Sequence, residues 1–220
     1  SMVIDVLTVD ITQNDTTICE GDSLVLSVGV SGMSQIGSGY DTLSLGDSFQ
    51  GGLIFYLDGN GGGLVVTSTE LSDPSGGWYT VPWHSGTDVV TNASGDGLYA
   101  GKINTELIIA AIGFDPTIMY AARFCDEYSV ISNGINYDDW YLPSKYELDL
   151  IWTNLGANNL GSFTTSYYWS STETSSANAW GVGFDNGGPN INQKSLYSFV
   201  RAVRSFSLNS NNYPLMQFKS

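Results

Sequence analysis

The hydrophobic period of this chain changes twice, and that alternation restricts the folds open to it more than any single motif does. Residues 3–11 and 23–28 alternate apolar and polar side chains, the pattern of half-buried strands. Residues 52–57 and 64–67 are apolar runs flanking Asp58-Gly59-Asn60-Gly61-Gly62-Gly63, which reads as a β-hairpin. The period then becomes helical. Ile103, Leu107, Ile108 and Ala111 share one helix face, and residues 117–130 continue the spacing behind Pro116. A third helix is marked by the capping box Ser144-Lys145-Tyr146-Glu147, with Leu148, Ile151 and Trp152 as its apolar stripe. After Gly161 short strands return at 167–170, 179–184 and 198–203. Strands, helices, then strands imply an α+β domain with short mixed or antiparallel strands and two to three helices.

Residues 31–52 read as a linker, and residues 71–100, with Trp78, Trp83 and His84, as loop. The expected organisation is an N-terminal β arm and linker over 1–36, the main domain over 37–208 and a tail over 209–220. Thr16-Thr17-Ile18-Cys19-Glu20-Gly21-Asp22-Ser23-Leu24 resembles the opening of immunoglobulin-like repeats of bacterial surface proteins. Too little chain follows to complete a sandwich, so the arm is read as an Ig-like fragment.

Charge narrows the partners. Twenty-two Asp and Glu against seven Lys and Arg give −15, which repels phosphate backbones and anionic membrane surfaces. No stretch approaches the ~18 consecutive apolar residues that span a bilayer, so neither nucleic-acid binding nor membrane insertion is expected. Charged residues make up only 13% of the chain, with Gly, Tyr, Ser, Thr and Asn taking the polar share, a balance that suits an extracellular protein. Cys19 and Cys125 permit one bridge, worth about 4–5 kcal/mol on a chain-entropy estimate. Two separate thiols fit better, because Ile118, Ala122 and Cys125 share a predicted helix face where a buried free Cys is common.

Catalytic and metal chemistry finds little support. Gly21-Asp22-Ser23-Leu24 and Gly46-Asp47-Ser48-Phe49 resemble a lipase-like nucleophile block, but the lone histidine, His84, stands in no Asp-x-x-His context that would supply the base. One His and two separated Cys cannot assemble a zinc site. Calcium requires only oxygens, which Asp138, Asp139, Glu173 and Asp185 can offer, though solvated carboxylates on turns are the plainer explanation. No cofactor, catalytic residue or metal ligand is therefore assigned. Two carboxylates could also run glycoside hydrolysis, which depends on a spatial separation that spacing does not give.

Binding is better supported. Trp169, Trp180 and Phe184 recur at strand spacing and read as core. Among and after them stand Thr174, Ser175, Ser176, Asn178, Asp185, Asn186, Asn190, Asn192, Gln193, Ser195, Tyr197 and Ser198. Small polar groups with Tyr are what binding loops use, since they combine hydrogen bonding with rigid contact area. The plainer alternative is an ordinary polar loop surface.

Five blocks carry a family resemblance: residues 51–57, residues 137–148, Tyr168-Trp169-Ser170-Ser171-Thr172-Glu173, Ala179-Trp180, and Val200-Arg201-Ala202-Val203-Arg204. In order and spacing they resemble the C-terminal domain of the Legionella collagen-like adhesin and its bacterial paralogues, over roughly residues 50–206. The resemblance implies a C-type-lectin-like fold on an exported or cell-surface protein, or on a phage particle. It also implies kinship with the variable proteins of diversity-generating retroelements, whose ligand-contacting residues precede the terminal Val-Arg-x-Val-Arg block. Carried onto this chain, that places the binding face between Thr174 and Ser198, with Trp169, Trp180, Val200 and Val203 as scaffold. Arg201 and Arg204 would pair with buried acids such as Glu173. The expected function is recognition of an extracellular protein or glycan, without catalysis. The rivals are an assembly domain of a large surface or phage-tail protein and a carboxylate-dependent hydrolase. The adhesin's polyanionic glycans do not suit a chain of this charge. Formylglycine-generating enzymes of the wider fold use late cysteines, which are missing after Cys125.

Overall fold

The computed structural model describes residues 43–72, 80–114 and 118–207. The expected β arm, Cys19, the first Gly-Asp-Ser phrase, Trp78, Pro116 and the tail lie outside the described residues. Within them the architecture is α+β, with eleven strands and three helices.

The expected hairpin forms. β2 (Gly52–Leu57) and β3 (Gly62–Thr67) pair antiparallel, and Asp58 Oδ1 closes the turn by accepting from the N–H groups of Asn60 and Gly62 at 2.7 and 2.9 Å. β1 (Ser48–Phe49) and β11 (Val203–Ser207) flank it, giving a sheet of order β1-β2-β3-β11. A second sheet runs β4-β10-β7-β8-β9, built from β4 (Thr80–Pro82), β7 (Tyr167–Glu173), β8 (Asn178–Gly183), β9 (Pro189–Gln193) and β10 (Tyr197–Phe199). β5 (Val130–Ser132) and β6 (Ile135–Tyr137) form a separate ribbon.

All six residues of β3 are buried, because apolar clusters cover both faces of the first sheet. Strand alternation divides them: Ile54 and Val65 join Trp83, Ile108, Trp140 and Trp169, whereas Phe55, Leu64 and Val66 join Leu148, Ile151, Tyr168 and Val182. α1 (Ala100–Ile112) and α2 (Ala121–Asp126) supply the first cluster, and α3 (Lys145–Asn154) supplies the second. The α3 capping box is present as its sequence predicts. Ser144 Oγ accepts from Glu147 N–H, and the Glu147 carboxylate accepts from Ser144 N–H, Tyr99 N–H and Tyr141 Oη.

Several expectations are corrected. The linker contains β1 and the loop contains β4. Both strands are too short for alternation to register, and each exists through its partner, β2 and β10. The second helix ends at Asp126. Its predicted C-terminal part becomes β5, which turns into β6 through Asn133-Gly134, both at positive φ, the two-residue hairpin turn that Asn-Gly favours. The single strand expected at 198–203 is two strands in different sheets, β10 and β11, joined by Val200-Arg201-Ala202. In α1, Ile103 is 62% and Leu107 37% exposed, and Ala111 also faces solvent. Of the expected face Ile108 alone is buried, and the helix packs through it together with Gly101, Asn104 and Thr105. Its buried polar groups are satisfied: Asn104 bonds Gly95 and Ser171, and Thr105 bonds Gly101 and Leu142.

Candidate functional site

The twelve predicted contact residues occupy β8, β9, the start of β10 and the turns around them. Asn178 pairs with Gln193 across the β8–β9 hairpin, and Lys194 N–H donates to the Ala177 carbonyl. This gathers Thr174, Ser175, Ser176, Asn178, Gln193, Ser195 and Tyr197 at one end of the sheet. Asp185 and Asn186 occupy the turn at the opposite end, about five residues or ~16 Å along the strand. Asn190 and Asn192 lie between them on β9. The patch is therefore two clusters joined by an edge strand.

Exposure separates these residues further. Thr174, Ser175, Asp185, Asn186, Asn190, Gln193, Ser195 and Tyr197 are exposed, and Ser176, Asn178 and Asn192 are half-buried. Ser198 is 7% exposed and leaves the face. The reason is strand alternation: Tyr197, 65% exposed, points out, so its neighbour points in. On β9 the amides of Asn190 and Asn192 lie on one side, 3.3 Å apart. They stand opposite Gly181 and Ala179 of β8, where a Cβ on Gly181 would come within 3.4 Å of Asn192 Nδ2. The missing side chain leaves room for the amide.

Beneath the first cluster lies a feature the sequence reading missed. Lys194, inside the polar block, is fully buried and pairs with Glu173 at 2.6 Å. Its Nζ also donates to the Val89 carbonyl and lies 4.3 Å from the centroid of the Trp83 ring. Glu173 accepts in addition from the N–H and hydroxyl of Thr91. Burial works against the Glu173 charge, but the Lys194 ammonium and the two Thr91 donors outweigh it and hold the carboxyl below its ordinary range. The clamp ties the 83–95 loop to the end of β7 and the β9–β10 turn. A lone Lys in a neutral polar run was the available signal.

The other charges also pair differently from expectation. Arg201 does not reach Glu173; it pairs with Glu70 at 3.2 Å and donates to the carbonyls of Thr67 and Gly161. Arg204 forms a two-point pair with Asp139 and bonds Gln50. Each Arg closes locally because the crossover between the two sheets carries it away from the Glu173 end. Trp169, Val200 and Val203 are fully buried, as scaffold residues should be, and Trp180 is half-buried with Lys145 Nζ 5.8 Å from its ring.

The four proposed calcium ligands are dispersed. Glu173 and Asp139 are held by Lys194 and Arg204, Asp138 faces Asn136, and Asp185 stands alone in the β8–β9 turn. Among the described residues no three His, Cys, Asp or Glu side chains converge on one point. His84 bonds within its own loop, Nδ1 accepting from Gly86 N–H and Nε2 lying 3.1 Å from Asp88. In the second Gly-Asp-Ser phrase, Asp47 accepts from Ser44 N–H as a turn residue. Cys125 is a buried free thiol, and burial raises its pKa well above the ordinary value.

No curated protein matches this chain. The sequence profile of the Lcl C-terminal domain matches residues 76–204, which run from before β4 to the second residue of β11. That span holds all three helices, the second sheet with its polar hairpin and the Arg-bearing crossover, and the chain therefore belongs to the Lcl C-terminal domain family.

Proposed function

We propose that this domain is an adhesin-type recognition module with a C-type-lectin-like fold, displayed at the cell surface or secreted. It binds an external protein or glycan through the β8–β10 face and performs no chemistry. Membership of an adhesin family supports the surface setting. Among the described residues no helix is long and apolar enough to cross a membrane.

The observation that carries the reading is the contrast across the β9–β10 turn. Its buried side is fixed by the Lys194–Glu173–Thr91 clamp, while Gln193, Ser195 and Tyr197 around it are exposed. A rigid base with adaptable polar contacts and one Tyr anchor is an economical recognition surface. The reading extends to sequence variation: related chains should differ mainly at these exposed positions and retain Lys194. Replacing Tyr197, Asn190 and Asn192 together with Ala should abolish binding on arrays of glycans and surface proteins while leaving the melting temperature unchanged. Retained binding in this variant overturns the assignment.

A second reading draws on the same surface. β9 is the edge of its sheet, and Ile191, Leu196 and Tyr197 are each at least half exposed beside it. An open edge with apolar neighbours can pair with another copy, as an assembly domain requires. Light scattering decides between them, because a stable dimer burying ~800 Å² per copy on this face would favour assembly.

A further inference from the structure

We propose that the concavity between α3, the Gly156–Asn158 turn and the β8–β9 turn is a subsite for a ring of a neutral saccharide. The proposal rests on the recognition reading above and names a ligand class for one end of that surface, the Asp185 end. The concavity has a volume of about 360 Å³, near the lower limit of roughly 300–1,000 Å³ for ligand clefts. Its floor is aromatic. Trp152 meets Phe184 edge to face at 5.4 Å, and Phe163 meets Phe184 at 4.8 Å.

The floor is held rigidly. A Cβ on Gly187 would fall 1.9 Å from Trp152 Nε1, and one on Gly156 would fall 2.7 Å from the same indole, so two glycines admit backbone against the ring. The 161–162 segment is fixed from behind, where Arg201 donates to the Gly161 and Ser162 carbonyls and its guanidinium stacks 4.2 Å from the Phe163 ring.

The rim differs from its surroundings in hydrogen bonding. Nearby amides are engaged: Asn154 donates to the Phe55 carbonyl, Asn158 to the Thr153 carbonyl, and Asn186 accepts from Gly188 N–H. The rim side chains of Asn159, Ser162 and Asp185 are exposed and bond no other described residue. Asn159 and Ser162 both hold positive φ, 56° and 48°. An aromatic floor complements the C–H groups of a pyranose, and a rim of hydroxyl, amide and carboxylate groups complements its hydroxyls.

Charge selects the neutral class. No basic side chain lines the concavity, Asp185 stands on its rim and the chain carries −15, so sulfated or carboxylated sugars meet repulsion with no compensating cation. The comparable concavity beside β6 and β11 lacks this character, since its Arg204 is already held by Asp139 and Gln50.

The test is a ¹⁵N NMR titration of the full chain with cellobiose, maltose, lactose and chitobiose, and with a heparin disaccharide as the anionic control. At least one neutral sugar should shift the Trp152 indole resonance, and the heparin disaccharide should not. Asn159→Gly retains the left-handed turn, and Asp185→Ala removes an exposed group, so both should fold. Each should weaken the sugar by about five-fold, the loss of one hydrogen bond. If no neutral sugar moves Trp152, or both variants titrate like the parent, the subsite is wrong. If array binding survives these two variants but is lost in the Tyr197, Asn190 and Asn192 variant, the subsite falls and the recognition reading stands. If the parent binds nothing on the arrays and no sugar shifts it, both fall.

Discussion

Lys194 shows how a single residue fixes the surface around it. An ammonium removed from water is costly unless paired, and here a carboxylate, a backbone carbonyl and an indole face all receive it. Lys194→Ala leaves Glu173 buried beside Thr91 without its counter-charge, and should cost about 3–5 kcal/mol in chemical unfolding. The Glu173 and Glu70 carboxyls are both held below the ordinary 4.5. In each, burial opposes the charge but is outweighed, by Lys194 and Thr91 in one and by Tyr168, Arg201 and Thr164 in the other. Their folded pKa values lie below the unfolded ones, so their stabilisation is present above 4.5 and is lost as pH falls through and below it. Glu147 acts oppositely, because burial raises its pKa and protonation relieves it. Thermal melts between pH 7 and 3 should show a net fall in melting temperature that begins near pH 4.5 and is shallower in Glu70→Gln.

At the level of elements, glycines decide where turns can meet side chains. Gly187 has φ +75°, and its Cα lies against Trp152, so the β8–β9 turn seats on α3 only with glycine at that position. Gly187→Ala adds both the left-handed strain of about 1–2 kcal/mol and a clash with the indole. It should lower stability by more than about 2 kcal/mol and shift the Trp152 indole resonance, while Gly59→Ala, where a Cβ meets nothing, should show only the backbone cost. The α1 helix shows the limit of periodicity as a guide. Of its apolar stripe at Ile103, Leu107, Ile108 and Ala111 only Ile108 is buried, and the face that packs also carries Asn104 and Thr105, which are hydrogen-bonded inside.

For the whole molecule, the distribution of charge matters more than its sum. Of seven basic residues, Arg123, Lys145, Lys194, Arg201 and Arg204 each sit in an ion pair, and Lys219 lies outside the described residues. Among the described residues, Lys102 alone is outside an ion pair, so the excess acids present a surface with little to attract a polyanion. The domain should pass through a heparin column unretained at physiological salt, where attraction between opposite charges would otherwise hold it. Retention there would contradict the neutral-ligand reading.

The sequence by itself determined the α+β class, the Gly52–Thr67 hairpin and the capped third helix, because each depends on a local pattern: period, turn chemistry or a four-residue cap. It also placed a polar block before the Val-Arg-Ala-Val-Arg segment. It did not reveal that β9 is a strand, that β10 and β11 lie in different sheets, or that Lys194 turns inward to Glu173. Those features depend on partners remote in sequence, such as β4 for β10 and Thr91 for Glu173, and no local period encodes a partner that only closure of the fold brings near.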